Sequence, residues 1–251
     1  MAGMRALGLA LLTCLIGCAG NSTLPENDRI ALQGELIAHS RYLKIAMRVA
    51  PFFQDTGAWF LSDRALDEAD LIDDPAGHPV PPGTSTGILL PGTRLRIDRI
   101  EFPTGFVIAQ RVLYSPRYNP WVYLVPADGQ SSANTLSAGK PFILVLPQRM
   151  KSRDDVLAEL DRFLSRDDIA VVFRALPPQF QEAIAQKSVI AGMGPEEVEM
   201  AWGYPERIHL DEAHQTQSWT WPEGKQEAFF YAKGLTHWQD HGSAGGKAQP
   251  E

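Results

Sequence analysis

A chain of 251 residues, 44% hydrophobic and 21% charged, has the composition of a folded protein and room for one large or two small domains. A net charge of −7 and the lack of any Lys/Arg run suit nucleic acid poorly, because its binders carry basic patches. Beyond residue 17 no apolar stretch reaches the roughly 20 residues a membrane-spanning helix needs, and no internal repeat is visible.

Met1 to Gly17 has the three parts of a secretory leader: a single positive charge at Arg5, an apolar run from Ala6 to Ile16 broken only by Gly8 and Thr13, and a small residue before the cleavage point. Leu15-Ile16-Gly17-Cys18 resembles the bacterial lipobox. That resemblance implies that Cys18 forms a thioether with a diacylglycerol and that its freed amino group takes a further acyl chain such as palmitate. Two or more chains give firm anchoring where one gives marginal binding. Of the two cysteines, Cys14 would leave with the leader and Cys18 would be acylated, so no thiol remains for a disulfide or a nucleophile. Residue 19 is Ala, and the absence of an Asp there implies the outer membrane, with the protein facing the periplasm.

The polar, proline-containing segment 18–29 reads as a tether, and 30–150 as a β-rich domain. Leu32, Gly34, Leu36 and Ala38 share one parity, as do Leu43, Ile45, Met47 and Val49, which predicts two strands within Ile30–Phe53. Asp63–Asp74 is acidic, and His78-Pro79-Val80-Pro81-Pro82-Gly83 breaks regular structure. Further strands are predicted at Ile88–Leu90, Leu95–Glu101, Phe106–Leu113, Trp121–Val125 and Phe142–Leu146. Short strands separated by Pro and Gly turns suggest a small sandwich or barrel. Leu90 to Ile97 resembles the opening hairpin of SH3-like barrels in envelope proteins.

The period then becomes helical, and 151–188 reads as a helical connector. Ser152 and Asp155 form a candidate capping box before a helix over Arg153–Leu164. Ser165 opens a second helix, with Asp168, Ile169, Val172, Phe173 and Leu176, which Pro177-Pro178 ends; a third spans Gln179–Gln186. From residue 189 to 239 the pattern is one short helix and a meander. Gly194 is the expected N-cap, Pro195 the first helical residue, and Gly203 the C-terminal cap at positive φ. Strands follow at Arg207–Leu210, Gln217–Trp221, Glu227–Tyr231 and Leu235–Gln239, with Trp219, Trp221, Phe229 and Tyr231 expected on one face. Residues 240–251 read as a flexible tail.

Gly192-Met193, Val198, Gly203-x-Pro205, Trp219 and Gly234-Leu235 resemble the SmpA/OmlA (BamE-like) family of lipoproteins, found in the machinery that assembles outer-membrane β-barrels. Gly194 departs from that family's Thr or Ser, and the whole region before Ile190 has no counterpart in its small members. The resemblance therefore implies a two-part lipoprotein that carries such a module.

The chemistry-bearing residues give no catalytic set. His237-x-x-x-His241 has a metal-like spacing, but one residue falls in a strand and the other in the tail, so no metal site is expected. Asp154-Asp155 and Asp167-Asp168 are explained by helix capping, and Asp73-Asp74 by a solvated loop. No G-x-S-x-G, G-x-G-x-x-G or phosphate-binding loop occurs. Trp202, Trp219, Trp221 and Trp238 are expected in a core, with a ligand groove as the other reading.

The expectation is an α+β, periplasm-facing lipoprotein with no catalytic residues and no cofactor. It would contact the membrane through acyl chains on Cys18 and bind an envelope protein in a scaffolding role linked to outer-membrane assembly or integrity. The alternative is a peptidoglycan-associated sugar-binding module or cell-wall enzyme. Exposed aromatics such as Tyr118 and Trp121 would favour binding, and a cleft with convergent carboxylates or histidines would favour the enzyme.

Overall fold

The computed structural model describes residues 24–241 except 54, 70, 130, 223 and 224. The expected leader, Cys18, the first half of the tether and nearly all of the tail lie outside the described residues. Among those described, the architecture is mixed α+β: a curled eight-stranded sheet, a four-stranded antiparallel sheet and seven α-helices.

The first element is α1 (Glu26–Leu36), a helix where a strand was expected and where the tether was expected to end. Leu32 and Leu36 are both buried, and a spacing of four satisfies the strand period and the helix period alike. Local features permit a helix, and packing against α4 selects it. Glu26 and Asp28 sit in the first turn, where negative charge is favourable, and Gly34 faces open space.

The large sheet contains β1 (Ser40–Leu43), β2 (Met47–Phe52), β3 (Asp55–Ser62), β4 (Gly87–Leu89), β5 (Arg94–Glu101), then, beyond α2 (Gly105–Gln110), β6 (Trp121–Pro126). After α3 (Ser131–Ser137) come β7 (Phe142–Val145), α4 (Arg153–Phe163) and β8 (Leu164–Ser165). The strand order is β4-β2-β3-β7-β6-β5-β1-β8, antiparallel throughout except for the parallel pair β3/β7. The expected strand Leu43–Val49 is broken at Lys44–Ala46 into β1 and β2. The expected strand Phe106–Leu113 is instead α2, because the Thr104 side chain caps it by accepting from Val107 N. In β5 the buried residues are Leu95, Ile97 and Ile100; a bulge between Ile97 and Arg99 reverses the parity.

Both faces of this sheet are covered. Met47, Val49, Leu61, Leu95, Ile97, Val122, Leu124, Phe142 and Leu144 pack on one side with Leu32 and Leu36 of α1 and Val156, Leu160 and Phe163 of α4. Phe52, Ala58, Phe60, Trp121, Tyr123 and Ile143 form a second layer on the other side. The capping box of α4 is present, with Asp155 N donating to Ser152 Oγ and Ser152 N to Asp155 Oδ2.

The C-terminal part contains α5 (Ile169–Ala175), α6 (Pro178–Ala185), α7 (Pro195–Trp202) and the meander β9 (Arg207–Asp211), β10 (Thr216–Thr220), β11 (Gln226–Tyr231) and β12 (Gly234–Asp240). Asp168, not Ser165, caps α5, since Ser165 belongs to β8. Gly194 and Gly203 flank α7 as expected, Gly203 at φ 83°. The expected aromatic face needs one correction. Trp219 pairs directly with Ala228, so Ala228 and Phe230 face the core while Phe229 and Tyr231 point outward. Trp219 packs on Phe230 at 4.8 Å between ring centres.

The helices of 151–188 do not form a separate layer. Those of α4 belong to the large core, whereas Phe173 of α5 and Ala183 and Ile184 of α6 pack with Trp202, Trp219, Trp221 and Phe230. Ile88 of β4, with Ala46 and Leu90 next to strands of the large sheet, joins this second core, so the two parts share buried surface.

Candidate functional site

The two halves meet at the break between β1 and β2. Ala46 N donates to Met200 O of α7 at 2.7 Å, and Ala46 O accepts from Lys187 Nζ at 2.8 Å. Lys187 reaches this point from the end of α6. Lys187 N donates to Ile184 O and Ser188 N to Ala183 O, the two bonds of a Schellman termination. Lys187 occupies its left-handed position at φ 52°, where Gly is the usual residue.

Beside this contact lies a cavity of about 60 Å³ lined by Arg48, Asp63 and Arg64 from the large sheet and the loop after β3, and by Lys187, Trp202 and Trp221 from the C-terminal part. Lys187 is only 6% exposed. Burial pushes its ammonium group down to about 7; Asp63 opposes the shift and Arg48 adds to it. Trp202 and Trp221 pack edge-to-face at 5.2 Å, and Trp221 Nε1 donates to Gly203 O. The N–H groups of Trp202 Nε1 and Arg48 Nε are buried and donate to no acceptor among the described residues. The tryptophans expected in a core are there, but two of them, Trp202 and Trp221, also line a polar cavity. On the cavity's outer side Lys225 pairs with Glu68 at 3.8 Å.

A second surface feature is the segment between β5 and β6. It exposes Phe106 (73%), Leu113 and Tyr118 (56%) to solvent. The segment is held from beneath by Arg111, which donates from Nη1 to the carbonyl oxygens of Arg117 and Asn119, both at 2.7 Å, and from Nη2 to Glu101 O. The Arg111 guanidinium lies 3.6 Å from the ring centre of Trp121, and Trp121 Nε1 donates to Pro116 O. Next to it Arg99 stacks on Tyr123, whose hydroxyl burial pushes up to about 12. Of the two aromatic side chains expected on a binding face, Tyr118 is on the surface and Trp121 is buried at the start of β6.

The remaining candidates have local roles. His237 packs on Phe229 at 5.5 Å, and His241 Nε2 lies 3.2 Å from Gln239 Oε1. Asp74 closes a turn by accepting from Ala76 N and His78 N. Among the described residues no group of three or more His, Cys, Asp or Glu converges as a metal site would. Lys187 and Arg48 escaped the sequence reading, although one signal existed: a helix ending at Gln186-Lys187-Ser188 offers neither Gly nor Asn for the left-handed position.

No protein-family model, characterised protein or solved structure matches this chain.

Proposed function

We propose that this chain is a lipid-anchored, periplasm-facing envelope protein with a non-enzymatic role, and that it binds a partner protein through the β5–β6 segment. The observation that carries the binding role is the combination of exposed Phe106, Leu113 and Tyr118 with the rigid support supplied by Arg111. Large apolar side chains on a pre-ordered loop bind with little further entropy cost, and aromatic and Arg residues are enriched at protein interfaces. The anchor rests on Leu15-Ile16-Gly17-Cys18. The kinship of the C-terminal part with BamE-like modules draws support from a glycine-flanked helix leading into a four-stranded meander.

A photo-crosslinking residue placed at 106 or 113 in the native envelope should capture a protein that one placed at exposed Val172 does not. The Phe106→Asp/Leu113→Asp pair should weaken that capture without moving the melting temperature. Equal capture from all three positions would exclude this surface. Cys18→Ala should leave a soluble or uncleaved precursor, and a variant still processed and membrane-bound would remove the anchor from the reading.

A further inference from the structure

We infer that the cavity between the two halves is a binding site for a small oxyanion, a carboxylate or phosphate, held by Lys187, Arg48 and Trp202. Three independent observations converge on it.

The first is the cost of Lys187. A side chain other than Gly in the left-handed region is strained, and an ammonium taken out of water loses its hydration. Gly at this Schellman position would remove both penalties. Strain that the surrounding structure maintains is a marker of function. The bond to Ala46 O uses one of three ammonium hydrogens, which leaves two to be satisfied.

The second is the set of orphaned donors. Among the described residues four buried side-chain nitrogens lack a partner, and two of them, Arg48 Nε and Trp202 Nε1, belong to residues that line this cavity. Buried donors are almost always paired, so two unpaired N–H groups around one space point to an acceptor that occupies it. Both orphaned groups are donors, which favours an occupant rich in acceptor oxygens.

The third is size and charge. A water needs roughly 10–15 Å³ of such space, so about 60 Å³ holds either a few waters or one compact oxyanion. Setting aside the Lys225–Glu68 pair, Arg48, Arg64 and Lys187 face Asp63 and Asp240, a cation excess of one when Lys187 is protonated. Asp63 on the rim disfavours an anion of high charge and suits a monoanion.

The test is calorimetry on the folded mature chain with inorganic phosphate and, separately, acetate, at matched ionic strength. Saturable binding of either probe is expected, weakened about tenfold or more in Arg48→Met and in Lys187→Met, and unchanged in Arg149→Met at an exposed site. Should Lys187→Met fail to fold, Trp202→Phe keeps the packing and removes only the N–H, and it should also weaken binding. Saturable binding that survives Arg48→Met and Trp202→Phe would place the anion elsewhere and overturn the assignment. So would the absence of saturable binding by both probes, which leaves water as the occupant.

Discussion

Lys187 Nζ and Ala46 O, 141 residues apart in the chain, meet at 2.8 Å inside the protein and join the end of α6 to the break between β1 and β2. Ala46 has no other donor for its carbonyl in the contacts of this junction, and its N–H is committed to Met200. A single residue between β1 and β2 thus commits both backbone groups to the C-terminal half.

This burial makes stability depend on pH. The Lys187 ammonium has an ordinary value of 10.5 and is held at about 7 in the fold. Between those values the unfolded chain binds a proton that the folded chain does not, so stability rises with pH across the window, with a slope of at most about 1.4 kcal/mol per unit from this group. The charged groups facing it are Asp63, Arg48 and Arg64. Urea melts at pH 7 and pH 9.5 should show the increase in the wild type, and Lys187→Met should flatten it.

Gly203→Val should destabilise the C-terminal half. The backbone there has φ 83° and ψ −168°, a region essentially closed to other residues. Space is not the obstacle, because an added Cβ would meet Asp63 and Ile45 at an ordinary 3.5 Å. The expected loss is of order 1–3 kcal/mol from strain alone. Gly203→Ala should lose nearly as much, and a thermal melt of both variants separates strain from crowding.

Gly92→Ala should act through the opposite mechanism. Here an added Cβ would lie 2.3 Å from the Cα of Ala170, so the turn before β5 and the start of α5 would have to separate. Forcing atoms into a filled contact costs about 1–3 kcal/mol, with the φ of 81° adding to it. The melting temperature should fall, and hydrogen exchange should quicken first in α5.

Arg111→Lys should loosen the exposed segment without unfolding the sheet. Lysine cannot serve the carbonyls of Arg117, Asn119 and Glu101 from one planar group, nor stack on Trp121 in the same way. Limited proteolysis should cut within residues 105–119 faster than in the wild type. Partner crosslinking at position 106 should fall with it.

The elements most legible in the sequence were those whose signals are local. The capping box at Ser152 and Asp155, the Gly194-Pro195 start and Gly203 end of α7, and the four meander strands all depend on neighbouring residues. Elements decided by long-range packing were not legible. Strand β3 carries Ala58-Trp59-Phe60-Leu61, apolar on both faces because Phe60 and Leu61 enter different layers, so no alternation marks it. Leu32 and Leu36 fit either period, and only the packing of α1 against α4 distinguishes them. The cavity was hidden for the same reason. Arg48, Asp63, Lys187 and Trp202 lie on separate elements, and a lysine after a helix reads as a surface residue until its neighbours are known.

The parallel pairing of β3 with β7 has a consequence for the order of assembly. A chain delivered N-terminus first presents β3 some 80 residues before β7 arrives to cover its outer edge. Until then β2 and β3 form a hairpin with an open apolar flank, the kind of edge that recruits other strands. The last strand of that sheet, β8, and the residues that seal Ala46 come later still. The nascent chain therefore keeps this edge open for most of its synthesis and can close the sheet only near the end.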